Sequence, residues 1–191
     1  MRDLDKMLQK KPEQKPQQKI AFLDRDGTLN VDHGYICKPE QMELLPGVQR
    51  AVTQLRHAGF ATVVVTNQSA IGRGMCKLED VERCNQRLIE LLGADAAPDL
   101  ILLCPHAPDD GCACRKPGIQ LLSTPQFQAQ FPDFDQKLSW MVGDKPVDVE
   151  FGINAGLPPE HCVLLTEKQA VDAATPMAFR SLAAAVQFIL Q

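Results

Sequence analysis

The sequence predicts an α/β protein in three layers, a parallel sheet with helices on both faces. Three observations carry this. Short apolar runs alternate along the chain with segments of helical periodicity, which is how a parallel sheet is written in sequence. The run from Phe60 to Val65, FATVVV, is apolar and β-branched nearly throughout, as a strand buried on both faces must be. Polar and acidic residues stand at the ends of several such runs, where sheets of this kind collect a ligand.

In chain order, residues 1 to 19 are rich in Lys, Gln and Pro, with only Leu4, Met7 and Leu8 to bury, so a mobile polar tail is expected ahead of one domain over 20–191. Ile20 to Leu23 is the first strand. It delivers Asp24 and Asp26, two residues apart and so on one side, before Gly27 lets the backbone turn. The polar loop Asn30 to Tyr35 follows. Pro46-Gly47 opens a helix whose apolar positions Val48, Ala51, Val52 and Leu55 fall at i, i+3, i+4 and i+7, and Gly59 closes it. After the Phe60 strand, Leu78, Val81, Leu88 and Leu92 mark a second helix, and Leu100 to Leu103 a strand. A helix is expected over 118–129, a strand over 138–142, a short helix over 149–155 stopped at Gly156, and a last strand over 162–165. Leu182, Val186 and Ile189 give the C-terminal helix an apolar face that should dock on the core.

A chain of 191 residues, 45% hydrophobic and 23% charged, suits one globular domain with a sizeable core and no large cap domain. The net charge of -4 argues against nucleic acid as partner, which needs a concentrated basic surface. No apolar run approaches the ~20 residues of a membrane span, and the N-terminus is polar rather than a signal sequence, so a cytoplasmic protein without a membrane partner is expected. Seven cysteines, an odd number with four metal-type ligands clustered, point to reduced thiols rather than disulfides. The chain has no long coiled-coil repeat, and a monomer is the default.

Two constellations carry chemistry. Asp24 and Asp26 repel each other unless a cation or a proton lies between them, although a solvated acidic turn after an edge strand is the plain alternative. Thr66, Lys116 and the segment Gly143-Asp144 with Asp148 follow downstream. Taken alone, Thr66 is an ordinary strand residue and Lys116 a solvated lysine. Cys104, His106, Cys112 and Cys114 offer three thiolates and one imidazole, a donor set for tetrahedral Zn²⁺ with no open position, though the one-residue gaps are tighter than usual. Cys37, Cys76, Cys84 and Cys162, with His57 and His161, read as core or incidental side chains.

Asp24-x-Asp26-Gly-Thr, a Thr at a strand end, a lone Lys and Gly-Asp-x-x-x-Asp, in that order over roughly residues 20 to 166, resemble the haloacid dehalogenase-like phosphatases. The resemblance implies a Rossmann-like phosphatase domain and a catalytic Mg²⁺ held by Asp24, Asp144, the Asp26 carbonyl and the backbone at Lys145, with Asp148 in support. It makes Asp24 the nucleophile that forms an aspartyl-phosphate, and Asp26 the acid and then the base. Thr66 and Lys116 would hold the phosphoryl oxygens.

The Cys-x-His, Cys-x-Cys loop resembles that of the heptose-bisphosphate and histidinol-phosphate phosphatases, where it implies a structural Zn²⁺ that orders Arg115 and Lys116. The loop Asp32-His33-Gly34-Tyr35 looks like the substrate loop of the heptose 1,7-bisphosphate branch. With Thr66, Asn67, Gln68, Ser69, Arg115 and Lys116, it would bind a small phosphorylated sugar destined for lipopolysaccharide, with Lys145 adding a contact. The short span Ala107 to Gly111 is closer to the histidinol-phosphate branch, so that substrate stays open. So do phosphoryl transfer to an acceptor other than water and a zinc-containing binding module without catalysis.

Overall fold

The computed structural model describes residues 18–166 and 177–191. Its centre is a sheet of β1 (Ile20–Leu23), β2 (Ala61–Asn67), β3 (Leu100–Cys104), β4 (Trp140–Gly143), β5 (Cys162–Leu165) and β6 (Ala178–Phe179), in the order β3-β2-β1-β4-β5-β6. Every pair is parallel. Six α-helices surround it: α1 (Val48–His57), α2 (Ser69–Gly72), α3 (Leu78–Leu92), α4 (Pro125–Gln130), α5 (Pro146–Asn154) and α6 (Leu182–Ile189).

β1 lies inside the sheet with all four residues buried, so alternate side chains feed two cores. Ala21 and Leu23 face a core built with Val52 and Leu55 of α1, Leu88 of α3 and Val186 of α6. Ile20 and Phe22 face the other core, where Phe22 meets the rings of Phe127, Phe134 and Phe151. Full burial of one such side chain contributes roughly 1.5–3 kcal/mol, which fixes the central strand rigidly. The C-terminal helix docks on the first core as its apolar face requires.

Several boundaries differ from expectation for local reasons. The helix expected over 118–129 is a 3₁₀ turn, Gln120–Ser123, followed by α4. Pro125 cannot donate a backbone N–H and forces Thr124 into an extended conformation (ψ 144), where its hydroxyl caps the new helix at Phe127 N. The strand expected from Leu138 begins at Trp140, with Leu138 exposed. α2 and β6, of four and two residues, are too short for periodicity to reveal. The expected tail over 1–19 lies outside the described residues as far as position 17. Gln18 and Lys19 belong to the domain: the Gln18 carbonyl accepts from Asp135 N (3.0 Å) and the Lys19 carbonyl from Ala61 N (3.0 Å). Among the described residues no segment between strands forms a cap domain, and no helix is long and apolar enough to cross a membrane.

Candidate active site

Parallel register places the chemistry. Leu23 pairs with Val142 and with Val64, so Asp24, Thr66 and Gly143-Asp144 emerge together at the carboxyl edge of adjacent strands. Asp24 and Thr66 line a cavity of roughly 230 Å³, which Gly143 and Asp144 do not line. Of the residues singled out in the sequence, Asp24, Asp26, Asp32, Gly34, Tyr35, Thr66, Asn67, Gln68, Ser69, Arg115, Lys116, Lys145 and Asp148 line it, joined by Ala70 and Val147. His33 does not line it; its Nε2 points to Glu43, 3.8 Å away, on an exposed side chain.

Asp144 lies just beneath the cavity, pressed on the turn after β1. A Cβ on Gly27, whose φ is +87°, would sit 2.4 Å from Asp144 Oδ2, so only glycine admits this carboxylate. Asp24, Asp144 and Asp148 each offer a carboxylate oxygen, and these oxygens lie within 4.8 Å of one another. Burial, with Asp24 and Asp148 adding to it against Lys145, pushes the Asp144 carboxyl from 3.8 up to about 7. Burial and Asp24 likewise raise Asp148, opposed by Lys116. Asp144 Oδ1 is buried without a hydrogen-bond partner. Crowded hard oxygens with one orphaned acceptor fit a Mg²⁺ ion.

Lys116 is the counter-charge already in place. Its buried ammonium lies 2.6 Å from Asp24 Oδ1, 2.6 Å from Asp148 Oδ1 and 2.6 Å from the Val65 carbonyl. Burial would lower its pKa, but Asp24 and Asp148 outweigh that and raise it. Asn67 holds the Lys116 backbone from both sides, accepting from its N–H (2.9 Å) and donating to its carbonyl (3.2 Å). The Asn67 amide is thus occupied in seating the lysine. Lys145 spans Asp32 (3.0 Å) and Asp144 (3.6 Å); against burial, its hydrogen bond and the Gly34 N–H hold Asp32 below the usual carboxylate range.

Asp26 is gripped by N–H donors on both oxygens. Arg25 Nε and Nη2 approach at 2.9–3.2 Å, Asn30 Nδ2 at 2.9 Å and Gln68 Nε2 at 2.8 Å, the last also donating to Thr66 Oγ1 at 2.7 Å. Sequence reasoning passed over Arg25 and Asn30. An arginine between two aspartates in a buried strand end was the available signal.

Cys104 ends β3, and its Sγ stands 3.6 Å from His106 Nδ1, 3.5 Å from Cys112 Sγ and 3.1 Å from Cys114 Sγ; His106 Nδ1 and Cys114 Sγ are 3.1 Å apart. A tetrahedron with ~2.3 Å Zn–S bonds has edges of about 3.8 Å, so four soft donors stand slightly inside zinc geometry. Burial and the neighbouring thiols raise the Cys104 thiol, the expected behaviour of a ligand without its cation. The loop is seated by close backbone contact: Gly72 N donates to Pro105 O (2.8 Å), and a Cβ on Gly72 would sit 2.4 Å from Ala107 N. All seven cysteines are free thiols, and the half-buried Cys76, next to Cys37, is pushed up to about 12 by burial and that neighbour.

No family model matches the chain. It is 37% identical over 139 residues to the D-glycero-beta-D-manno-heptose-1,7-bisphosphate 7-phosphatase of Helicobacter pylori, covering 72% of this chain and 79% of that one. It is 36% identical over 143 residues to the histidine biosynthesis bifunctional protein HisB of Legionella pneumophila, covering 73% of this chain and only 40% of HisB. The crystal structure of D,D-heptose 1,7-bisphosphate phosphatase from B. bronchiseptica, complexed with magnesium and phosphate, superposes with a TM-score of 0.78 and 28% identity, over 91% of this chain and 99% of that one.

Proposed function

The chain belongs to the D-glycero-beta-D-manno-heptose-1,7-bisphosphate 7-phosphatase family of haloacid dehalogenase-like enzymes, and on that footing we propose that it removes the 7-phosphate of heptose 1,7-bisphosphate by way of an aspartyl-phosphate. The observation that carries this is the convergence of Asp24, Asp26, Thr66 and Lys116 on one cavity whose outer wall is Asp32, Gly34 and Tyr35.

Asp24 is the nucleophile. One carboxylate oxygen bonds to phosphorus as the bond from phosphorus to the C7 oxygen breaks, and that oxygen takes its proton from Asp26. Asp26 then removes a proton from water, which attacks phosphorus, releases phosphate and restores Asp24. Lys116, 2.6 Å from the Asp24 carboxylate, and the Thr66 hydroxyl hold the phosphoryl oxygens, where fixed donors act most strongly. Mg²⁺, when held by Asp24, Asp144, the Asp26 carbonyl and the backbone at Lys145, cancels the repulsion between a carboxylate and a phosphate dianion. Arg115 offers its guanidinium to the sugar or the second phosphate. The Cys104, His106, Cys112 and Cys114 cluster holds Zn²⁺ as a structural ion that keeps the Arg115-Lys116 segment in place and breaks no bond. The enzyme acts as a monomer in the cytoplasm, a reducing compartment that its free thiols suit, and feeds a nucleotide-activated heptose route to lipopolysaccharide.

The test is phosphate release, with Mg²⁺, from both anomers of heptose 1,7-bisphosphate and from histidinol phosphate, by the parent and by Asp24→Asn. Preference for a heptose bisphosphate, abolished in the variant while fold and zinc content persist, is expected. Preference for histidinol phosphate would overturn the substrate, and no release from any ester would make the chain a binding module.

A further inference from the structure

We propose that Asn85, on α3 and outside the catalytic cavity, is a positioning residue for Asp26 and acts through Arg25. The proposal rests on the reading of Asp26 as the group that protonates the leaving alcohol.

Arg25 is fully buried, and its only acidic partner among the described residues is Asp26. Its Nε and Nη2 edge faces the Asp26 carboxylate at 2.9–3.2 Å, and its remaining nitrogen, Nη1, donates to Asn85 Oδ1 at 2.8 Å. A guanidinium is planar, so pinning Nη1 on one side sets the plane of the fork on the other. The fork in turn sets the plane of the carboxylate it grips. Without Asn85 the guanidinium keeps its charge but loses the contact that stops it turning about its stem.

Asn85 itself is out of place by the logic of the helix. It is buried on the α3 face that also presents Val81, Cys84, Leu88 and Leu92 to the core. An amide there costs free energy unless it is hydrogen-bonded, and a leucine would continue the apolar stripe. The Arg25 contact is the return for that choice. It makes α3 part of the catalytic apparatus although α3 contributes no side chain to the cavity.

Proton transfer to a leaving oxygen tolerates little misplacement, and errors of about 1 Å cost on the order of a hundredfold. The effect should appear where the leaving group needs a proton and vanish where it does not. The experiment compares the parent, Asn85→Leu and Asn85→Asp on heptose 1,7-bisphosphate, whose alkoxide must be protonated, and on p-nitrophenyl phosphate, whose nitrophenolate leaves unaided. Asn85→Leu is expected to lower kcat on the sugar ester about ten- to a hundredfold with KM within about threefold. The first-turnover burst of nitrophenolate should stay within about threefold of the parent. Asn85→Asp keeps the acceptor and should recover most of kcat. Thermal melting checks that each variant is folded; should the leucine variant not fold, Asn85→Ser takes its place.

Equal slowing of the sugar ester and of the nitrophenolate burst, a change in KM alone, an unaltered kcat, or no recovery in Asn85→Asp would each overturn the positioning role. The two readings fail separately. If the parent prefers another alkyl phosphate, the heptose assignment falls, and the same comparison, run on that ester, still decides the role of Asn85.

Discussion

Replacing Lys116 by Met tests how the carboxylate cluster is held together. The ammonium is 2% exposed and lies 2.6 Å from both Asp24 (7% exposed) and Asp148 (1% exposed), so its removal leaves buried carboxylates facing one another with no counter-charge. Breaking a buried ion pair in this way costs about 3–5 kcal/mol. For a chain of this size each kcal/mol lowers Tm by ~2–4 °C, so a fall of about 6–20 °C is expected in the absence of magnesium. The sign with pH follows from the carboxylates. Asp144 and Asp148 are both raised in the folded chain, and losing the ammonium, which opposes that shift at Asp148, raises Asp148 further. A raised carboxylate favours the folded state fully below its unfolded pKa and loses that contribution as pH rises through the folded value. The deficit of Lys116→Met should therefore be smaller near pH 5.5 than near pH 8, and added Mg²⁺ should recover part of it. Urea unfolding of parent and variant at both pH values, with the zinc left in place, makes the measurement. A loss below about 1 kcal/mol, equal at both pH values, would refute the idea that this lysine neutralises the cluster.

In the parent without magnesium, the Asp144 carboxyl at about 7 rather than 3.8 predicts stability that declines from about pH 4 to about pH 7; saturating Mg²⁺ should flatten the decline and release protons, read by calorimetry in buffers of different ionisation enthalpy. Gly27→Ala places a Cβ 2.4 Å from Asp144 Oδ2 at a φ of +87°, so it should cost about 1–3 kcal/mol in strain and weaken Mg²⁺ binding more than it weakens folding, measured by magnesium titration beside urea unfolding. Stripping zinc should raise KM, since the loop that the proposed ion would clamp carries Arg115 and Lys116; a zinc-free protein with full activity and affinity would show that the clamp is dispensable. Zinc uptake should also release protons, because the buried Cys104 thiol is raised without the ion.

The sheet was legible because a strand buried on both faces leaves no choice of residues: FATVVV could be little else. The strand ends then announced the site, since Asp24, Thr66 and Asp144 each follow an apolar run, the first two lining the cavity and the third meeting Asp24 in the carboxylate cluster. The Cys and His donors were legible as ligand types, and the chain folds them within reach of one another. What could not be read was the set of polar groups that hold the reactive ones. Asn85 is an amide in a helical stripe, and only the tertiary fold brings it to an arginine sixty positions earlier. The seating of Lys116 by Asn67 spans forty-nine positions in the same way. His33 was drawn toward the cavity by its neighbours in sequence, yet a loop residue between Asp32 and Gly34 can face either way, and it faces Glu43. The break at Pro125 is visible in the sequence, since proline has no N–H to continue a helix through 118–129.

The Cys104 to Cys114 segment is tied at both ends, by its four donors and by backbone contact with Gly72, while its middle, Gly111, has open space around it. The arrangement separates inheritance from novelty. Residues inserted between Ala107 and Gly111 would extend outward from this seat, away from the contacts that hold Lys116 against Asp24. A longer loop could thus be carried here while the buried contacts of Lys116 stay as they are.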